Sequence, residues 1–289
     1  MGIQQMEKVK KVAIQGVIGS FHEDAAQRFF SDEKIKIIEC RTFRKVCQMV
    51  DSDEADIAVM AIENAIAGSL LENYGLIRDF HLRIIGEIYL KIQMNLLAMP
   101  GVKKCDIKEI HSHPVALKQC AEYIDGTFGE ISLDDNFDTA GAAKNIAKNK
   151  LMDVACISNE RTAQIYGLEI LDKGIETNKR NYTRFLILSK HNNQLSEESN
   201  KASICFEVGH FYGSLARVLN IFAENEINMT KIQSVPIIGK PDEYTFHVDI
   251  EWENNDNYEH AIHKVLKSVT SLTILGEYVR GEKKIYDVI

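Results

Sequence analysis

Two periodicities alternate along this chain. Tyr244, Phe246, Val248, Ile250 and Trp252 are apolar at every second position, interleaved with Thr245, His247, Asp249 and Glu251. That alternation predicts a strand with one buried face. Upstream, Leu215, Val218, Leu219 and Phe222 fall at i, i+3, i+4 and i+7, one face of a helix. Residues 202–208 and 229–235 read as strands, with a turn at Pro236, Gly239 and Pro241. Ala261, Ile262, Val265 and Leu266 give a second amphipathic helix, and residues 272–279 a last strand. The order β-α-β-β-α-β is that of the ferredoxin-like motif, an α+β antiparallel sheet with both helices on one face.

The first 190 or so residues alternate short strand and helix signals, which predicts α/β layers with mostly parallel sheets. Val12–Ile14 and Ile57–Ile62 read as buried strands, residues 88–98 as one long strand, and Val154–Ile157 as another. Helices are expected at Ala25–Phe30, from Ser69, after Pro114, through Ala147 and around Ala163. Residues 190–200 are almost free of apolar side chains, which places a linker there between domains at 8–189 and 201–289.

Composition narrows the class. A chain of 289 residues suits about two domains, and 45% hydrophobic with 26% charged residues is a soluble globular balance. A net charge of -8 argues against a nucleic-acid partner, which demands a basic surface. No apolar run approaches the ~18 residues of a membrane span, and the N-terminus lacks the apolar core of a signal peptide. Met6 stands where a myristoylation signal wants Ser or Thr. The six cysteines form no CxxC pair and read as reduced, buried thiols of a cytoplasmic protein. His111 and His113 could share a strand face but lack a third ligand, so no metal is expected.

The chemistry concentrates in Asn181-Tyr182-Thr183-Arg184-Phe185, followed by Leu186, Ile187 and Leu188. A buried arginine needs an anionic partner, and no acidic residue lies within four positions of Arg184. A small anion or a distant carboxylate would serve. Four polar turns join strands to helices: residues 16–21, 63–69, 112–114 and 138–140. In open α/β sheets such turns sit at strand carboxyl ends, where helix N-termini offer free N–H groups. Ser20, Ser69 and Thr139 are equally suited to plain helix capping, His113 to packing or capping, and Glu63 and Asn64 to tying loops. Together the turns and the Thr-Arg pair suit a small polyanion held by neutral donors and one arginine.

The segments GVIGSFHEDAA (16–26), AIENAIAGSL (61–70), SHPVAL (112–117), DTAGAA (138–143) and NYTRF (181–185) resemble the motifs of prephenate dehydratases, in order and spacing. The C-terminal segment, with GSLARVL (213–219) and NMTKIQSVP (228–236), resembles the ACT domain that follows in that family. The resemblance implies a two-lobed catalytic domain like a periplasmic binding protein, with its site in the cleft. It implies decarboxylating dehydration of prephenate to phenylpyruvate, feedback by phenylalanine, a homodimer or homotetramer, and no cofactor. On this resemblance Thr183 is the catalytic hydroxyl and Arg184 pairs a substrate carboxylate. Ser20, Asn64, Ser69, Ser112 and Thr139 donate hydrogen bonds, and Glu63, His113 and Phe185 support the site. Phenylalanine would sit at Gly209, His210, Gly213, Ser214 and Leu215, against Gln233 and Ser234 of a second strand.

Departures from the family pattern are Val17-Ile18 for Pro-Glu, Ser20 for Thr, Ala65 for Ser, Val115 for Gln and Met94 for a hinge His. In the effector motif Gln233-Ser234-Val235-Pro236 replaces Glu-Ser-Arg-Pro. Two other readings fit the same residues: a dehydratase acting on arogenate, and a non-catalytic amino-acid sensor.

Overall fold

The computed structural model describes residues 9–135, 138–191, 196–237 and 239–282. The N-terminal signals weighed above, part of the linker and the last residues of the C-terminal segment lie outside them. The chain folds as two compact units: residues 1–70 with 88–185, and residues 71–87 with 186–289. The second unit takes in Leu71–Glu87 from the first half of the chain as well as the C-terminal stretch from Leu186.

In chain order the elements are β1 (Lys10–Gln15), α1 (Phe21–Phe29), β2 (Ile35–Cys40), α2 (Phe43–Asp51), β3 (Ile57–Asn64), β4 (Gly68–Ser69), α3 (Leu71–Asp79), β5 (Arg83–Lys91), β6 (Asn95–Ala98) and β7 (Glu109–Ser112). There follow α4 (Pro114–Gln119), α5 (Ala121–Phe128), β8 (Ser132–Asp135), α6 (Thr139–Asn149), β9 (Val154–Ser158), α7 (Glu160–Tyr166), β10 (Glu169–Asp172) and β11 (Tyr182–Ser189). One sheet has the order β2-β1-β3-β11-β5 with β4 off β3, and another the order β10-β6-β9-β7-β8. Pairing of β1 with β2 and β3, and of β7 with β8 and β9, is parallel. β4 pairs β3, and β6 pairs β9 and β10, antiparallel. The sheets are mixed: four of these pairings are parallel and three antiparallel, because only strands linked by crossover helices must run the same way. Residues in β3 and β9 are buried on both faces, as their unbroken apolar runs require.

Three expectations change. The long strand at 88–98 is two strands in different sheets, broken at residues 92–94. There the Ile92 N–H goes to the Asn181 carbonyl and the Met94 N–H to the Glu176 carboxylate. The apolar alternation carries straight across, so the change of partner leaves no trace in it. The helix expected from Ser69 starts at Leu71, because Ser69 is spent in β4 opposite Glu63. Of the cysteines, Cys105 is exposed and the other five are buried.

The C-terminal segment gives β12 (Lys201–Glu207), α8 (Ser214–Glu224), β13 (Asn228–Pro236), β14 (Tyr244–Glu251), α9 (Asn255–Leu266) and β15 (Ser271–Tyr278). Its antiparallel sheet has the order β13-β14-β12-β15. Ile204, Phe206, Val248 and Ile250 share a core with Val218, Phe222, Ala261 and Val265 of the two helices. This is the ferredoxin-like arrangement that the pattern predicts.

The other face of this sheet is unexpected. Alternation marks it polar, yet Lys201, Ser203, Thr245, His247 and Asp249 are each at most 3% exposed. Register pairs them across the strands: Lys201 opposite Glu251, Ser203 opposite Asp249, Cys205 opposite His247. Lys201 Nζ lies 3.0 Å from Glu251, and Ser203 donates to Asp249. The segment Leu71–Glu87 shares this unit. His247 packs on the Tyr74 ring at 4.9 Å, and Lys201 Nζ meets Glu87 at 2.9 Å. Arg83 donates to the Ile274 carbonyl, and a Cβ at Gly276 would collide with the Ile84 backbone.

Two predictions follow from this packing. Gly276→Ala forces backbone apart, and overpacking costs about 1–3 kcal/mol. The thermal midpoint should fall by about 2–12 °C on the scaling for a domain of this size, and an unchanged midpoint would contradict the contact. Burial, then Arg78, pushes the His247 imidazole down to about 4. The unfolded chain takes up a proton below about pH 6.5 while folded His247 stays neutral to about 4. Its stability is therefore fully present above pH 6.5 and is lost as pH falls toward 4. His247→Phe should show a smaller loss of urea midpoint between pH 7 and pH 5 than wild type, by up to about 1.4 kcal/mol per pH unit.

Candidate active site

Glycine shapes the first turn. Gly16 and Gly19 adopt φ of +101° and +95°, open to glycine at little cost. Ser20 then caps α1, accepting from the Glu23 N–H. Asn159 and Thr162 of α7 donate to the Gly19 carbonyl at 2.8 Å each, and Tyr166 donates to that of Ile18. Glu23, buried, receives two bonds from Arg161 at 2.6 and 2.7 Å. The turn after β1 is thus fastened to α7.

At the head of α6 the capping residue is Asp138, whose carboxylate accepts from the Gly141 N–H, with Thr139 one position inside the helix. A Cβ on Gly16 would lie 3.3 Å from Ser20 and 3.5 Å from Asp138 Oδ2. The missing side chain lets the two turns meet. Burial raises the Asp138 carboxyl pKa against the pull of the Gly141 and Ala140 N–H groups. His113 caps α4 through Nδ1, accepting from the Val115 N–H, and Pro114 follows at the first helical position. Burial holds His113 below its ordinary pKa despite Asp138 and Asp135. The Ser112 hydroxyl is fully buried and donates to the Ile157 carbonyl at 2.7 Å. Its proton is committed to the neighbouring strand.

The second focus is Asn64. Its Oδ1 accepts from the Ile66 and Ala67 N–H groups, closing the turn after β3, and from Gln119 Nε2. Its Nδ2 donates to Asn181 Oδ1 at 2.7 Å and to Thr183 Oγ1 at 2.9 Å. Asn181, wholly buried, donates in turn to Gln119 Oε1 at 2.8 Å. The Ala65 N–H bonds the Tyr182 carbonyl, so the start of β11 lies beside the end of β3. Because Thr183 Oγ1 accepts from Asn64, its own proton is free to point at a ligand. Gln119 went unmarked in the sequence, as did the supporting role of Asn181. Their signal is weak, since an amide that holds other amides looks like any polar residue near a helix end.

Strand alternation sends Thr183 and Phe185 to one face and Arg184 to the other. Arg184 is 3% exposed and has partners within the protein. Phe185 meets the His22 ring edge-on at 5.1 Å, and Phe43 lies 5.4 Å from the same ring. Burial, then the nearby His113, pushes the His22 pKa down to about 3, and its Nε2 accepts from the Ala61 N–H. Glu63 and Ser69 face each other between β3 and β4. Among the described residues no group of three His, Cys, Asp or Glu side chains could hold a metal ion.

In the second unit a cavity of about 580 Å³ opens before α8, lined by Gly209, His210, Tyr212, Ser214, Leu215 and Glu243 among others. Gly213 stands before the helix at φ +78°. Gln233 and Ser234 lie on the edge strand β13 and are not among the lining residues.

An α/β unit with capped turns at its helix starts and an Asn64 turn bonded to the Thr183 hydroxyl, followed by a ferredoxin-like unit with its own cavity, defines a class of small-molecule enzyme. Residues 12–193 match the prephenate dehydratase family, and the chain belongs to it. The chain is 35% identical over 284 residues to arogenate dehydratase/prephenate dehydratase 6, chloroplastic, of Arabidopsis thaliana, covering 93% of this chain and 68% of that protein. Among solved structures, prephenate dehydratase in complex with L-Phe from Arthrobacter aurescens superposes with TM-score 0.83 at 26% identity, over 96% of this chain and 93% of that one. GqqA, described as a novel type of quorum quenching acylase, gives TM-score 0.84 at 27% identity, over 94% and 98%.

His22 offers a direct check on the site's packing. In a proton NMR titration its imidazole should stay neutral from pH 8 to pH 5, and a midpoint above pH 5 would show that the ring is not sealed between Phe43 and Phe185.

Proposed function

We propose that this chain is a prephenate dehydratase of phenylalanine biosynthesis, with a catalytic domain over 8–189, a linker at 190–200 and an ACT regulatory domain over 201–289. The observation that carries the reading is the Asn64 amide bonded to Thr183 Oγ1. It holds the hydroxyl oxygen and leaves the hydroxyl's own proton available to a ligand.

Prephenate bears two carboxylates and a ring hydroxyl. The bond from ring carbon to hydroxyl breaks with its electron pair leaving on oxygen. The pair of the ring–carboxylate bond moves into the ring, and carbon dioxide departs. Thr183 stabilises the leaving hydroxide by hydrogen bonding. A threonine is a weak acid, so position matters more than acidity. Arg184 is assigned a substrate carboxylate on the family resemblance, from the face of β11 opposite Thr183. Ser20, Ser69 and Thr139 supply neutral donors. Asn64, Ser112, Glu63, His113 and Phe185 hold these groups in place. The two lobes would resemble a periplasmic binding protein closing on the dianion. The chemistry requires no cofactor. The family resemblance implies a homodimer or homotetramer, and the cysteine usage suits the cytoplasm; among the described residues no helix is long and apolar enough to cross a membrane.

The L-Phe-bound relative supports phenylalanine as effector, in the cavity at Gly209, His210, Ser214 and Leu215, with Gly213 beside it in the chain. Acyl transfer would need a base bonded to the nucleophile. Among the described residues the side-chain partner of Thr183 Oγ1 is the Asn64 amide, a donor, so hydroxyl donation is favoured. A sensor would not need that proton at all. Arogenate is the second reading, and one observation favours it. The buried Asp138 carboxylate, beside Gly16 and Ser20, offers an ammonium partner that the sequence alone does not reveal.

Thr183→Ala should lower kcat by about 10²-fold, the loss of a positioned donor, with KM much less changed. Arg184→Ala should chiefly raise KM. Phenylpyruvate absorbance in alkali, with prephenate and arogenate compared by kcat/KM, provides the readout. A Thr183→Ala enzyme with near-normal kcat would end the assignment.

A further inference from the structure

The buried polar face of the C-terminal sheet has a use beyond stability. It grips one segment, Leu71–Glu87, through Tyr74 against His247, Lys231 Nζ over the Tyr74 ring at 4.9 Å, and Glu87 against Lys201. The Gly281 N–H adds a bond to Glu87 at 3.0 Å. Both ends of that segment lead to the residues that hold Thr183. Its N-terminal end follows directly from the turn that Asn64 closes through Ile66 and Ala67. Its C-terminal end continues along β5 to Ile92, whose N–H bonds the Asn181 carbonyl. Asn64 and Asn181 bond each other, and Asn64 bonds Thr183.

We propose that Tyr74 and Glu87 are positioning residues: through them the polar face of the C-terminal sheet holds α3 and β5, which in turn hold the Asn64–Asn181–Thr183 arrangement. A buried ion pair can fix one conformation even where it adds little net stability, and Lys201 with Glu87 and Glu251 is such a group. A change at the sheet would reach the hydroxyl along covalent chain at both ends of one clamped segment. The catalytic consequence rests on the dehydratase reading; the mechanical claim does not.

Native-state hydrogen exchange on the full chain tests it. In the wild type across a urea series, the amides of Ile66, Ala67 and Ile92 should open together with those of α3 and β14. Glu87→Gln keeps the shape but weakens the grip. It should speed exchange at 66, 67 and 92 by about tenfold while leaving Val12–Ile14 of β1 unchanged. A purely structural role would shift every slow amide alike, and that result overturns the proposal. So does independent opening of Ile66, Ala67 and Ile92 in the wild type, which decides the matter even if the variant fails to fold. Tyr74→Leu supplies a second variant with the same expectation. With a dehydratase substrate, Glu87→Gln should lower kcat severalfold with KM held. No product from the wild type would sink the dehydratase reading while leaving the exchange result to judge this one.

Discussion

The site depends on how one side-chain amide is saturated. Asn64 has one oxygen and one NH2 group, and the protein engages both. The oxygen closes its own turn and takes a bond from Gln119, and the NH2 group spans Asn181 and Thr183. A primary amide so constrained cannot rotate without abandoning several bonds at once. The hydroxyl it addresses inherits that rigidity, the property that the proposed donation by a weak acid would draw on. The surrounding turns obey the same economy. Ser20, His113 and Asp138 each begin a helix by accepting an N–H of its first turn, so side chains drawn from the candidate motifs also start helices.

Much of this was legible in the sequence, because burial and period are local properties. The alternation from Tyr244 to Trp252 and the helical spacing from Leu215 to Phe222 delivered the C-terminal topology in full. The strand at Ile57–Ile62 and the helix-capping turns at Ser20, His113 and Asp138 were equally plain. Less legible was whatever depends on a partner distant in sequence. Ile92 and Met94 are buried apolar residues in an alternating run, and only the carbonyl of Asn181 and the carboxylate of Glu176 reveal that the sheet changes there. Ser112 sits in a motif that suggests a donor, but its proton goes to Ile157.

The polar face of the C-terminal sheet shows the deeper limit. Thr245, His247, Asp249 and Glu251 alternate with apolar residues as a solvent-facing set would, and burial converts them into cross-strand pairs instead. Hydropathy cannot tell a polar residue that meets water from one that meets a counter-charge. The discriminating sign lies in complementarity across the register, Lys201 to Glu251 and Ser203 to Asp249, visible only once the strands are aligned.

A unit assembled from two separated stretches of chain has consequences for how such proteins can be recombined. Exchange of C-terminal halves between relatives, by crossover in nature or by gene fusion at the bench, would carry over residues 201–289 but leave residues 71–87 behind. The incoming Lys201 and His247 would then face a foreign Glu87 and Tyr74, with buried charge as the penalty for mismatch. Inheritance of this C-terminal module is tied to a helix and strand more than a hundred residues upstream of it. The natural unit of exchange is therefore larger than the folded β-α-β-β-α-β motif.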